Sequence, residues 1–193
     1  MHNASLERGA ARTAVVVTMI SLLFSCSCSR TKRDEVQVLR EDIYGFFLGQ
    51  TKKAVFKRAD GIAKVTRAPE SPMDYRGELW NFSAPLETNA AVDHVRCAFL
   101  KNRLMEVIVY FRDTGTRNLD RLKLQLEGQF QTRAVAEDSR FEMAQKTYRL
   151  NGPGMSITIR RITKPKETEL YVQYLHDVLH RELIEKNKSI KQR

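Results

Sequence analysis

The chain is poor in cysteine. Its 193 residues include three, Cys26, Cys28 and Cys97, too few for a disulfide framework and without the paired spacing of a zinc site. Long apolar runs are also missing. The stretch Ala14–Phe24 covers 11 residues, whereas a membrane-spanning helix needs roughly 20. No Gly-x-Ser-x-Gly elbow, phosphate-cradling glycine loop or dinucleotide fingerprint occurs, so the common hydrolase, nucleotide and redox signatures are absent. Gly152-Pro153-Gly154 reads as a turn. Acidic residues are short of basic ones, 23 against 33, for a net charge of +10. Such a balance favours acidic partners: phospholipid head groups, lipopolysaccharide or acidic proteins.

What is present begins at the N-terminus. Arg8 and Arg12 precede the short apolar run, and the basic stretch Ser27-Cys28-Ser29-Arg30-Thr31-Lys32-Arg33 follows it. A charged start, a short apolar centre and small residues at its end form a secretory signal. The segment Leu23-Phe24-Ser25-Cys26 resembles the bacterial lipobox, with an aliphatic residue at −3, a small one at −1 and cysteine at the cut. The resemblance implies a lipoprotein cleaved before Cys26 and acylated there, with residues 1–25 removed. It would be lipid-anchored in the cell membrane or outer membrane, facing the periplasm or the exterior. An ordinary signal peptide cut nearby, or an uncleaved anchor, is the alternative. Ser27 after the cysteine leans toward the outer membrane. Export sets nucleic acid aside as a partner. The remaining 168 residues carry 31 basic and 22 acidic side chains, a net +9, and suffice for one domain with a real core. Residues 26–40 form a lipidated tether reaching at most about 45–50 Å, its basic start suited to anionic head groups.

Residues 41–193 read as an α+β domain. Thr51 is the expected N-cap of a helix Lys52–Ala59, ended by Asp60-Gly61. Strands are expected over 62–66, 78–82, 92–100 and 104–111, the last two joined as a hairpin through Lys101-Asn102-Arg103. Leu119, Leu122, Leu126 and Phe130 recur at helical spacing over about 117–129. Residues 131–144 give no clear pattern. Strands follow at 146–150, 155–162 and 169–174. A closing helix over 175–187 carries the apolar stripe Leu175, Val178, Leu179 and Leu183, and a basic tail over 188–193 is expected to fray. Cys97 has the setting of a small buried hydrophobe, although a bridge to Cys28 would pin the tether to the domain.

The order of signals repeats: a helix ended by glycine (Gly61, then Gly128), an unclear strand, an aromatic strand, then a hairpin, over 43–113 and again over 116–175. Glu106–Phe111 and Glu169–Tyr174 correspond best. The expected architecture is therefore an antiparallel curved sheet with helices packed on one face, in two tandem helix-plus-four-strand repeats. The pieces Leu48-Gly49-Gln50-Thr51 to Val55, Trp80, and Val95–Phe111 resemble small lipoproteins of the outer-membrane assembly (SmpA/OmlA) type. They also resemble the tandem fold of the β-lactamase inhibitor protein. Gly49-Gln50-Thr51 and Gly61-Ile62-Ala63 depart from those families' Gly-Met-Thr and Gly-x-Pro. The resemblance implies a non-catalytic protein that binds other proteins.

Candidate chemistry is sparse. His176 and His180, four apart with Asp177 between them, are the candidate metal ligands of a metal-dependent hydrolase, although Asp is a methylene shorter than the catalytic Glu of such sites. His94 is expected to be exposed and Trp80 to belong to the core. Arg96, Arg160 and Arg161 lie on strands and would form a basic binding patch if those strands present an open face. No cofactor is expected. The favoured function is a membrane-anchored envelope lipoprotein that docks an envelope protein or anionic lipid without catalysis. A structural component held to cell-wall polymer by its basic tail is the further alternative.

Overall fold

A computed structural model describes residues 36–60, 64–67, 78–83, 91–137 and 145–191. The signal and lipobox, including Cys26 and Cys28, lie outside the described residues. The fold opens with Val36–Leu39, the last residues of the expected tether, which are built into the domain. The Leu39 N–H donates to the Leu48 carbonyl at 2.9 Å. Tyr44 and Gly45, at φ +52° and +89°, form a two-residue turn closed by the Ile43–Phe46 bridge, the left-handed pair such tight turns require.

The helix α1 (Lys52–Ala59) starts where expected: the Thr51 hydroxyl accepts the Ala54 N–H at 3.3 Å, satisfying one orphan donor of the first turn. Four strands follow, β1 (Lys64–Arg67), β2 (Glu78–Ser83), β3 (Val92–Leu100) and β4 (Arg103–Phe111). Lys101 and Asn102, at φ +48° and +65°, make the β3–β4 turn. The helix α2 (Thr116–Phe130) then precedes β5 (Val135–Glu137), β6 (Gln145–Gly152), β7 (Met155–Thr163) and β8 (Thr168–His176). The closing helix α3 runs Asp177–Lys191.

All eight strands form one open antiparallel sheet in the order β1-β2-β3-β4-β8-β7-β6-β5. Each half is thus a helix followed by a four-stranded meander, and the last strand of each half meets the other at the centre. The ladder pairs Val109 with Val172. These two residues also correspond when Glu106–Phe111 is laid on Glu169–Tyr174, so a local two-fold axis passes between them. Through the neighbouring ladders, Arg96 opposite Ile108 then corresponds to Arg160 opposite Tyr171.

The larger core lies between one face of the sheet and helices α1 and α2. Val55 and Ala59 of α1 and Leu119, Leu122 and Leu126 of α2 meet Phe82, Val107, Val109 and Val172 from the strands. A smaller cluster lies on the reverse face, where Leu179 and Leu183 of α3 cover Leu79, Ala98, Leu100 and Met105. Between these layers β4 is buried on both sides from Leu104 to Val109, which explains why it is apolar on both faces with the one exception of Glu106.

Three expected boundaries change. Leu175 and His176 belong to β8, because pairing with Ser156 and Met155 carries the strand two residues further. The closing helix extends to Lys191, past the expected start of a frayed tail. Gly128 lies inside α2, which ends at Gln131 in the left-handed conformation (φ +49°), so that helix is not stopped by a glycine.

Candidate docking face

The reverse face of the sheet is divided. Helix α3 covers the end near the Lys101-Asn102 turn, and Lys101 is tied to its Glu182 at 2.7 Å. No helix among the described residues packs on the other end, where Tyr110 of β4 and Tyr171 of β8 stand opposite each other. Period-two alternation brings Ile108, Tyr110, Tyr171 and Gln173 to this face, with His94 and Arg96 from β3 on one flank and Thr158 and Arg160 from β7 on the other.

The tyrosine rings lie 5.3 Å apart between centroids, tilted by 42°. His94 stacks on Tyr110 at 4.2 Å and 10° while its Nδ1 is 2.8 Å from the Asp93 carboxylate. The Arg96 guanidinium lies 5.5 Å from the Tyr110 ring and the Arg160 guanidinium 5.9 Å from the Tyr171 ring. Cation–π contact of this kind holds a guanidinium against a ring while leaving its N–H edge for a ligand. Arg96 Nε donates to Asn81 Oδ1 at 3.1 Å, and Arg160 Nη1 to the Tyr171 hydroxyl at 3.1 Å. Arg160 Nε is shielded from solvent and makes no hydrogen bond among the described residues. Neither arginine forms an ion pair among the described residues. Burial raises the Tyr110 phenol above its ordinary range, against the opposing pull of Arg96, so the ring stays neutral near pH 7.

Arg161 is not part of this cluster. It alternates to the helix side of β7, where its Nε donates to the Thr114 carbonyl at 2.7 Å and its Nη1 to Thr163 Oγ1 at 3.2 Å. It anchors the loop that leads into α2. The expected patch of three arginines is a pair.

The two candidate metal ligands are separated as well. Since α3 begins at Asp177, His176 and His180 do not share a helix face. His176 ends β8, is 2% exposed, and its Nε2 lies 2.9 Å from the Gln37 carbonyl oxygen. His180 lines a pocket of about 100 Å³ with Met105, Glu106, Gln173, Leu175 and Leu183. Asp177 instead accepts from the Ser156 hydroxyl at 2.7 Å in the first turn of α3, where a carboxylate suits the helix dipole. No group of three metal-ligating side chains occurs among the described residues. Cys97 is a fully buried free thiol.

Sequence reasoning missed Tyr110, Tyr171, Gln173 and the buried Glu106, whose carboxylate accepts from the Gln173 amide. It also placed His94 in solvent. The alternation of β4 and β8 carries the side each residue faces, but only the β4–β8 pairing brings the tyrosines together.

The chain matches no protein-family model, no curated protein and no solved structure.

Proposed function

We propose that the protein is a membrane-anchored envelope lipoprotein whose domain docks another envelope protein through the open half of its reverse sheet face. The lipobox-like Leu23-Phe24-Ser25-Cys26 supplies the anchor, with Cys26 as the acylated residue. The observation that carries the binding role is the Arg96–Tyr110–Tyr171–Arg160 cluster: two guanidiniums held against aromatic rings, on a sheet face that α3 leaves half open. Rigid aromatic and arginine side chains of this kind are the usual energetic centres of protein interfaces. A hydrolase built on His176 and His180 gains no support, because those side chains serve different parts of the fold.

Two experiments test the proposal. Cys26→Ser is expected to leave an unprocessed precursor without acyl label, and normal processing of that variant would refute the anchor. A photo-cross-linking residue at Thr158, on the open face, is expected to give one defined protein adduct in native membranes. The same residue at Gln125, exposed on α2, should not. Equal and diffuse adducts from both positions would refute docking through this face.

A further inference from the structure

We infer that the open face takes an extended acidic segment of a partner protein, laid across β3, β4, β8 and β7 so that two of its carboxylates reach Arg96 and Arg160. The inference rests on the docking role proposed above and names the chemistry of its partner.

The two arginines occupy equivalent places about the local two-fold axis at Val109–Val172, as the ladders show. Three strand spacings separate β3 from β7, so their backbones stand roughly 15 Å apart. An extended segment rises about 3.3 Å per residue, so carboxylates four or five residues apart span that distance. Between the arginines, Tyr110 and Tyr171, with His94 stacked on Tyr110, form an aromatic cluster against which such a segment can lie.

Among the described residues, no carboxylate forms an ion pair with Arg96 or Arg160. Glu106 is engaged by Gln173, and Glu169 is engaged by Lys164. A planar guanidinium binds a carboxylate through two parallel N–H donors. The Arg160 Nε–H lacks a partner among the described residues but is shielded, so a carboxylate pairs with it once the guanidinium turns outward from the Tyr171 ring. The net charge of +9 that remains beyond residues 1–25 draws acidic segments toward the protein.

The position of the N-terminal strap favours protein over lipid head groups. Val36 packs into the cluster under α3, and the Gln37 carbonyl meets His176. Both contacts lie at the sheet end that carries the Lys101-Asn102 turn. The tyrosine pair is nearer the other end, so the arginines lie on the part of the domain away from the strap.

The test uses the full chain in detergent micelles and fluorescence polarisation of a labelled peptide. The peptide holds two glutamates five residues apart in a Ser/Thr background, and a second peptide holds them adjacent. The spaced peptide is expected to bind at least fivefold tighter than the adjacent one. Arg96→Gln and Arg160→Gln should each weaken it about fivefold to tenfold, and the double variant should abolish binding. Arg117→Gln, on exposed α2, should leave it unchanged, and circular dichroism melts should report that all variants fold. Binding of the spaced peptide indistinguishable between wild type and double variant would overturn the inference. So would phosphatidylglycerol vesicles that displace the peptide and bind in an Arg96- and Arg160-dependent way, since the occupant would then be lipid. These outcomes are separate from the cross-linking result, which addresses whether the face docks a protein at all.

Discussion

Gly49 holds a position that no other residue fits. Its φ is +85°, and a Cβ there would stand 2.4 Å from the Gln37 carbonyl oxygen, a backbone atom that cannot swing aside. Gly49→Ala combines left-handed strain with that clash and is expected to cost about 1–3 kcal/mol, read as a lower urea midpoint. Cys97 gives a second test at this scale. Burial pushes its thiol well above the ordinary range, with nearby Glu106 adding to the effect. It should therefore resist a disulfide reagent at pH 8 in the folded protein and react on unfolding. Glu78 is shifted the other way: the hydrogen bond from Lys52, 2.6 Å long, lowers its carboxyl against a smaller opposing effect of burial. A depressed folded value means that the pair stabilises above the ordinary carboxylate range and is lost as pH falls through the lowered value. Glu78→Gln should then cost at most about 0.5 kcal/mol at neutral pH, since solvent screens so exposed a pair. Urea titrations across acid pH should show that difference vanish. Cys97 was legible as a buried hydrophobe from its apolar neighbours. The role of Gly49 was not, because the atom it accommodates comes from the tether.

Whole elements were more legible than their ends. Thr51 announced α1 through a local cap, and Leu119, Leu122 and Leu126 announced α2 through period. The β3–β4 hairpin followed from two β-rich runs around Lys101-Asn102. The start of α3 was misplaced because Leu175 satisfies both a helical stripe and a strand. Pairing with Ser156 decides for the strand, and that contact is distant in sequence. The same shift separated His176 from His180 and dissolved the metal motif. Gly128 offers a test of the corrected α2. It lies in the helix interior, and an alanine methyl there would meet nothing within 4 Å, so Gly128→Ala should stabilise the protein by about 0.5–1 kcal/mol in urea unfolding. Phe82 on β2 is fully buried against Phe46 and Phe56, and Phe82→Ala should cost about 3–5 kcal/mol in the same assay.

At the scale of the molecule, the repeated order of signals disclosed two helix-plus-meander halves. Their joining was hidden, because nothing in β4 or β8 alone says that each is the other's neighbour. That seam also decided the candidate site: Arg96 and Arg160 were legible as strand arginines, while the tyrosine pair between them exists only once the halves meet. Because β4 and β8 share one ladder and one core, the halves should unfold together. Trp80, the single tryptophan, reports on the first half alone, whereas far-ultraviolet circular dichroism reports on both. The two urea transitions are expected to coincide, and separate midpoints would mean that the halves are energetically independent.

If the proposed docking holds, the strap formed by Val36–Leu39 sets the local concentration at which it occurs. With these residues fastened to Leu48 and His176, about ten residue steps remain between Cys26 and the folded unit, a span of at most about 35 Å. If Cys26 carries the lipid, a partner within that radius on the same membrane meets the arginine pair at an effective concentration in the millimolar range. Contacts too weak to hold the two proteins together in free solution would then suffice, and releasing the anchor would dissolve the complex without altering a single residue of the interface.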